Sequence, residues 1–241
     1  MKIAVLERNS VGTDIDVTCF EDFGEVTYYR NTVAADAAEK VKDVDIIIAN
    51  KAPMNEETLK DAPNVKLICE FATGFDNIDL EYCKKRRIKV ANVKDYSTAA
   101  VAQHTFALAL YLLEHLPHYD TYVKDGSYGA QDRFSNFDLP FTELAGKLHL
   151  HMTEGWGIIG MGNIGRMVAK IATAFGCKVI FHSVTGKSTC TEYEQVSKDE
   201  LLAQSDILSL HCPLSDLTRN FIDKEALSKM KKTALLINVA R

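Results

Sequence analysis

The run Trp156-Gly157-Ile158-Ile159-Gly160-Met161-Gly162-Asn163-Ile164-Gly165-Arg166 joins a short apolar strand to a glycine-patterned turn that opens a helix. Anion binding needs main-chain donors and a positive potential, and a helix start supplies both. Gly160 allows the tight turn, Gly162 lets the main chain approach a pyrophosphate, and Gly165 lets the helix pack on the strand. A helical pattern from Ile164 to Phe175 and a second strand from Lys178 to Phe181 complete a βαβ unit, so the spacing reads as a dinucleotide site. The chemistry has a second focus at Ala234–Arg241. This run reads as a buried strand that delivers Arg241 to its carboxyl end, where open α/β sheets bind ligands.

Those residues need two sheets to hold them. Strand and helix patterns alternate through the first segment: Ile3–Leu6, Glu25–Tyr29, Ala34–Val41, Asp45–Ala49, Glu56–Asp61, Lys66–Glu70, Leu80–Arg87 and Ile88–Ala91. Such alternation predicts a parallel sheet wrapped by helices. A long helical pattern follows from Ser97 to Lys124, bent at Pro117, and carries the chain into a second α/β unit. Asp125 to Gly146 reads as an ordered excursion, and further strands are expected at Ile207–His211 and Ala234–Asn238, with a helix over Lys224–Lys231 between them. The fold class is therefore α/β with two Rossmann-like parallel-sheet lobes, residues 1–96 and 97–241.

The bulk composition fits a globular protein, with 46% hydrophobic and 25% charged residues in 241. A net charge of −5 argues against nucleic acid as a partner, and no stretch reaches membrane-spanning length. The six cysteines contain no C-x-x-C pair, which points to reduced thiols in the cytoplasm rather than zinc or a disulfide framework. No metal site is expected.

The chain resembles the D-isomer-specific 2-hydroxyacid dehydrogenases. The likeness rests on Gly74-Phe75-Asp76-Asn77-Ile78-Asp79, Val101-Ala102-Gln103-His104-Thr105, the glycine fingerprint, His211-Cys212-Pro213-Leu214 and Asn238-Val239-Ala240-Arg241, in that order. Tyr96-Ser97-Thr98 with the motif that follows leans toward the glycerate (hydroxypyruvate) branch, although lactate-type relatives share parts of it. The resemblance implies a flavodoxin-like substrate lobe and an NAD(P)-binding Rossmann lobe. It also implies hydride transfer between a nicotinamide and C2 of a 2-oxo acid, and a homodimer for a complete chain.

By the same resemblance Arg241 is the catalytic, substrate-binding arginine, whose planar guanidinium holds a carboxylate and polarises the developing alkoxide. Thr73 and Gly74 match the loop whose N–H groups meet the substrate carboxylate. The other reading of that loop is a plain turn in which Asp76 or Asp79 caps the next helix. Asn163 and Ile164 present N–H groups to the pyrophosphate. Val101 lies in the cofactor-side motif, His211, Cys212, Pro213 and Thr218 flank the adenosine, and Asn238 and Val239 lie near the nicotinamide.

Three departures from the family pattern matter. The family's histidine–glutamate acid pair lies beyond the arginine motif, where this sequence ends, so the second lobe is expected to be incomplete and activity impaired. A non-catalytic, corepressor-like dinucleotide module or a gene fragment is the alternative, while another Rossmann enzyme such as a methyltransferase leaves the 74–79 motif unexplained. Residues Leu148–Gly155 form an insert in which His149 and His151 alternate with leucines, and a lengthened loop explains them better than a metal pair. Finally, Ser183 stands where an acidic residue normally ends the second strand to bind the adenine ribose. With Thr185 and Lys187 following, a hydroxyl and a cation are offered to a 2′-phosphate, so NADP is expected to be accepted as well as NAD.

Overall fold

The computed structural model describes residues 1–131 and 155–240, and the chain folds as two compact units, Met1–Tyr96 and Ser97–Arg241. Arg241 and residues 132–154, which include His149, His151 and most of the expected 148–155 insert, lie outside the described residues.

In the first unit, strands β1 (Lys2–Val5), β2 (Glu25–Tyr28), β3 (Ile46–Ala49), β4 (Leu67–Glu70) and β5 (Lys89–Asn92) form one parallel sheet in the order β2-β1-β3-β4-β5. Side chains alternate across it, as the period of two requires. Ala4, Leu6, Ile47, Ala49 and Ile68 pack beneath Val41 of α1 (Ala34–Val41), Leu59 of α2 (Glu56–Leu59) and Cys83 of α3 (Leu80–Lys85). On the opposite face, Ile3, Val5 and Ile48 pack with Phe20 and Phe71. Phe20 belongs to a 3-10 segment, Thr18–Phe23, that the sequence patterns did not announce.

The second unit opens with helices α4 (Thr98–Leu113) and α5 (Leu116–Lys124). The break falls at His115, in the left-handed region at φ 49°, rather than at Pro117. The reason is positional: in the first turn of α5 a proline's missing N–H costs nothing and its fixed φ suits a helix start. The second sheet runs β10-β9-β6-β7-β8, all parallel, from β6 (Trp156–Ile159), β7 (Val179–His182), β8 (Glu194–Gln195), β9 (Ile207–Leu210) and β10 (Leu235–Asn238). Helix α6 (Asn163–Ala174) and α4 cover one face through Val168, Ala169, Ala172, Ala102 and Phe106, while α7 (Lys198–Gln204) and α8 (Lys224–Lys229) cover the other through Leu201, Leu202 and Ala226. Such two-sided cover is what a parallel sheet demands. Strand β10, expected to be buried, pairs only with β9 among the described residues, so it buries Ile237 but leaves Leu236 and Asn238 exposed.

A polar column runs through this largely apolar core. Trp156, 1% exposed and stacked on Phe106 at 4.6 Å, donates its Nε1–H to the buried Ser209 hydroxyl at 2.9 Å. Ser209 Oγ lies 3.0 Å from His211 Nε2, and His211 Nδ1 has no hydrogen-bond partner among the described residues. Burial disfavours the charged ring and lowers the His211 pKa from the ordinary 6.5 to about 4. The unfolded chain therefore takes up this proton first, and stability falls as pH drops from about 6.5 toward 4. Between pH 7 and pH 5 the wild type should lose about 1–2 kcal/mol more than His211→Gln in chemical denaturation; equal losses would show that the ring titrates normally.

Candidate functional site

Parallel register brings the carboxyl ends of four strands in the second unit, Ile159, His182, Leu210 and Asn238, to one edge. The chain winds from β6 to β7 and β8 on one side and resumes at β9 on the other. The crevice between β6 and β9 is thus the topological switch point, where doubly wound sheets bind ligands. The fingerprint turn sits on that crevice. Gly160 holds φ at 95°, and a Cβ there would come within 2.9 Å of the Cys212 N and Cα and the His211 carbonyl carbon. A Cβ on Gly165 would collide with the Gly160 carbonyl oxygen, so this glycine is what seats α6 on β6.

Gly162 behaves differently. It caps α6, and a Cβ built on it would meet nothing within 4 Å, so the main chain is open to an incoming group. The Arg166 N–H makes the first helical bond, to Gly162 O at 2.9 Å, leaving the N–H groups of Ile164 and Gly165 directed out of the first turn beside Asn163. Two close-packed glycines, one open glycine and a twelve-residue helix aimed at the edge fit a dinucleotide pyrophosphate.

The other expected residues gather around this turn. Ser183 follows β7, and the Gly186 N–H bonds to the Ser183 carbonyl at 3.0 Å in a turn that leaves Thr185 and Lys187 exposed. The Arg166 guanidinium donates to Thr189 Oγ1 at 3.1 Å and so ties the 183–189 loop to the first turn of α6. Arg166 was not singled out from the sequence, although a cation directly after the fingerprint is visible there. His211, Cys212 and Pro213 leave β9 against Gly160, and burial raises the Cys212 thiol pKa, which keeps it protonated. The Thr218 hydroxyl is engaged within its own turn, donating to Pro213 O at 2.6 Å and accepting from the Ser215 N–H at 2.8 Å. Asn238 ends β10, its side-chain oxygen accepting from the Ala240 N–H at 3.0 Å beside Val239. Val101 lies in α4, whose first turns include Ala102 in the core beneath the same sheet.

Thr73 and Gly74 belong to the first unit, on the loop after β4. The Thr73 hydroxyl donates to Val93 O at 2.9 Å and its carbonyl accepts from Asn92 Nδ2 at 2.7 Å, which fixes the loop from both sides. Neither the Thr73 nor the Gly74 N–H has a main-chain acceptor among the described residues. Asp79 caps α3, accepting from the Tyr82 N–H at 2.9 Å, so the capping reading of this motif holds alongside the open N–H groups. The expected catalytic Arg241 lies outside the described residues.

Comparison with known proteins agrees with this geometry. Residues 106–241 match the family model described as D-isomer specific 2-hydroxyacid dehydrogenase, NAD binding domain. A hydroxypyruvate reductase of Blautia hydrogenotrophica is 36% identical over 248 residues, spanning all of this chain and 74% of the relative. Among solved structures, an acyclic imino acid reductase (Bsp5) in complex with NADPH and D-Arg superposes with a TM-score of 0.84 at 28% identity, over all of this chain and 75% of the other. The D-lactate dehydrogenase from Aquifex aeolicus complexed with NAD and lactic acid gives 0.82 at 31% identity, over all of this chain and 69% of the other. With the family model matching more than half of the chain, this protein belongs to the D-isomer specific 2-hydroxyacid dehydrogenases.

Proposed function

We propose that this NAD(P)-dependent oxidoreductase interconverts a D-2-hydroxy acid and a 2-oxo acid with hydroxypyruvate as the first substrate to test, using residues 97–241 as cofactor domain and 1–96 as substrate domain. The observation that carries the reading is the open Gly162 between two glycines locked by packing, at the start of α6. The relative named hydroxypyruvate reductase supports the substrate. When bound, the nicotinamide supplies the hydride that reaches C2 of the oxo acid, and a proton must reach its oxygen. This chain's own part is to hold the reactants. Ile164, Gly165 and Asn163 bind the pyrophosphate; Val101, His211, Cys212, Pro213 and Thr218 border the adenosine and helix side; Asn238 and Val239 lie at the nicotinamide end. In the first unit Thr73 and Gly74 receive the substrate carboxylate, and Arg241 is assigned as the catalytic arginine by the family motif.

The 2′-phosphate of NADP finds Ser183, Thr185 and Lys187 where an acid would repel it. Arg166, held by Thr189, offers a second cation. A cytoplasmic location is supported by six free cysteines, Cys83, Cys177 and Cys212 among them buried. A homodimer is supported by the exposed Tyr111, Leu112, Leu116 and Val123 on α4 and α5. For a complete chain, light scattering should return twice the chain mass, and a monomer at micromolar concentration would remove the dimer from this reading.

Three substitutions test the cofactor assignment. Gly162→Ala, whose Cβ meets nothing within 4 Å, should cost no more than about 1 kcal/mol of stability as a poorer helix cap, yet weaken NAD binding about tenfold or more by calorimetry. Unchanged affinity would move the pyrophosphate elsewhere. Lys187→Ala and Arg166→Ala should each weaken NADP by about tenfold while NAD stays within about twofold. Parallel losses for both nucleotides would show that these cations do not read the 2′-phosphate.

A further inference from the structure

The first unit buries two carboxylates beneath the loops at the carboxyl edge of its sheet. Glu7, 7% exposed, follows β1 and reaches across to the turn after β3, where its oxygens accept from the N–H groups of Asn50 at 2.8 Å, Lys51 at 2.9 Å and Ala52 at 2.6 Å. In the order β2-β1-β3-β4-β5 the gap between β1 and β3 is the switch point, so Glu7 spans the crevice that would otherwise hold a ligand. Three successive N–H groups form a nest for an anion, and this nest is filled from within. A substrate carboxylate is thereby excluded from it and left to the N–H groups of Thr73 and Gly74.

The second carboxylate continues the chain of contacts. Glu70, 1% exposed at the end of β4, accepts from Asn77 Nδ2 at 3.2 Å, and the same amide donates to the Ala52 carbonyl at 3.0 Å. The main chain adds Met54 N–H to Asn77 O at 2.8 Å, Asp79 N–H to Met54 O at 2.9 Å and Phe71 N–H to Ala49 O at 2.7 Å. The Thr73–Gly74 segment is therefore strung between Glu70 and Asn77, and both are fastened to the turn that Glu7 holds. Apolar side chains would fill these positions without the desolvation cost of buried carboxylates. What carboxylates add is fixed direction, since both Glu7 oxygens and Glu70 Oε2 take donors at set positions.

We infer that Glu7, Asn77 and Glu70 form one positioning network that holds the Thr73–Gly74 loop against the 50–54 turn in the geometry that receives a 2-oxo acid carboxylate. The inference rests on the substrate-loop reading above. Its test is calorimetric titration of oxalate, a non-reacting carboxylate analogue, into the NADH-loaded protein. Asn77→Ala should weaken oxalate about tenfold or more with NADH affinity within about twofold, while Glu70→Gln, which keeps an oxygen for the Asn77 amide, stays within about threefold of wild type. Oxalate affinity unchanged in Asn77→Ala, or lost in step with NADH affinity, overturns the network. Should Asn77→Ala fail to fold, hydrogen exchange on the wild type decides. The amides of Asn50–Ala52, Met54 and Asp79 should open as one unit, and independent opening overturns the inference. A wild type that does not bind oxalate, or a Gly74→Val variant that binds it normally, instead removes the carboxylate site itself.

Discussion

The contact of Gly165 with the Gly160 carbonyl governs the second unit, because it sets how closely helix α6 can lie on strand β6. A methyl group at 165 would separate the helix from the sheet and swing its first turn away from the carboxyl edge. The same tight turn brings Gly160 against His211 and Cys212, so the switch-point crevice is walled by main chain rather than side chains. Only then does the open Gly162 have a use, as a gap beside two closely packed glycines. The apolar stack of Trp156 on Phe106 lies behind this corner and holds β6 and α4 together.

The two units solve one problem in opposite ways. At the carboxyl edge of a parallel sheet, turns leave main-chain N–H groups in excess, and something negative must complement them. In the second unit the donors belong to a helix start and face outward, with hydroxyls and cations at Ser183, Thr185, Lys187 and Arg166 nearby. In the first unit Glu7 supplies the complement internally. One sheet thus leaves donors open at its switch point, while the other is closed there and has its open N–H groups one loop further along, at Thr73 and Gly74.

Much of this was legible before folding. Runs such as Ile46–Ala49 and Trp156–Ile159 are apolar on both faces, which only a doubly covered strand requires, and the spacing of Gly160, Gly162 and Gly165 has few other uses. Helix α7 escaped notice although Ser197 and Glu200 form a capping box at its start, because its buried stripe is only Leu201 and Leu202. The two-residue strand β8 carries no periodicity to read. Thr218 could be matched to a motif, but its hydroxyl's employment within its own turn depends on the path of Pro213 and Ser215.

The sequence by itself determined the alternation of strands and helices, the dinucleotide turn and the family, since these follow from local patterns of polarity and backbone freedom. Tertiary structure alone decided that β10 pairs with β9 and leaves Leu236 exposed, that the helix break falls at His115, and that Arg166 meets Thr189. It also decided that Glu7, Asn77 and Glu70 join three loops. These pairings link residues up to 45 positions apart, and a carboxylate in a sequence carries no mark of the donors it will find once strands from distant segments lie side by side.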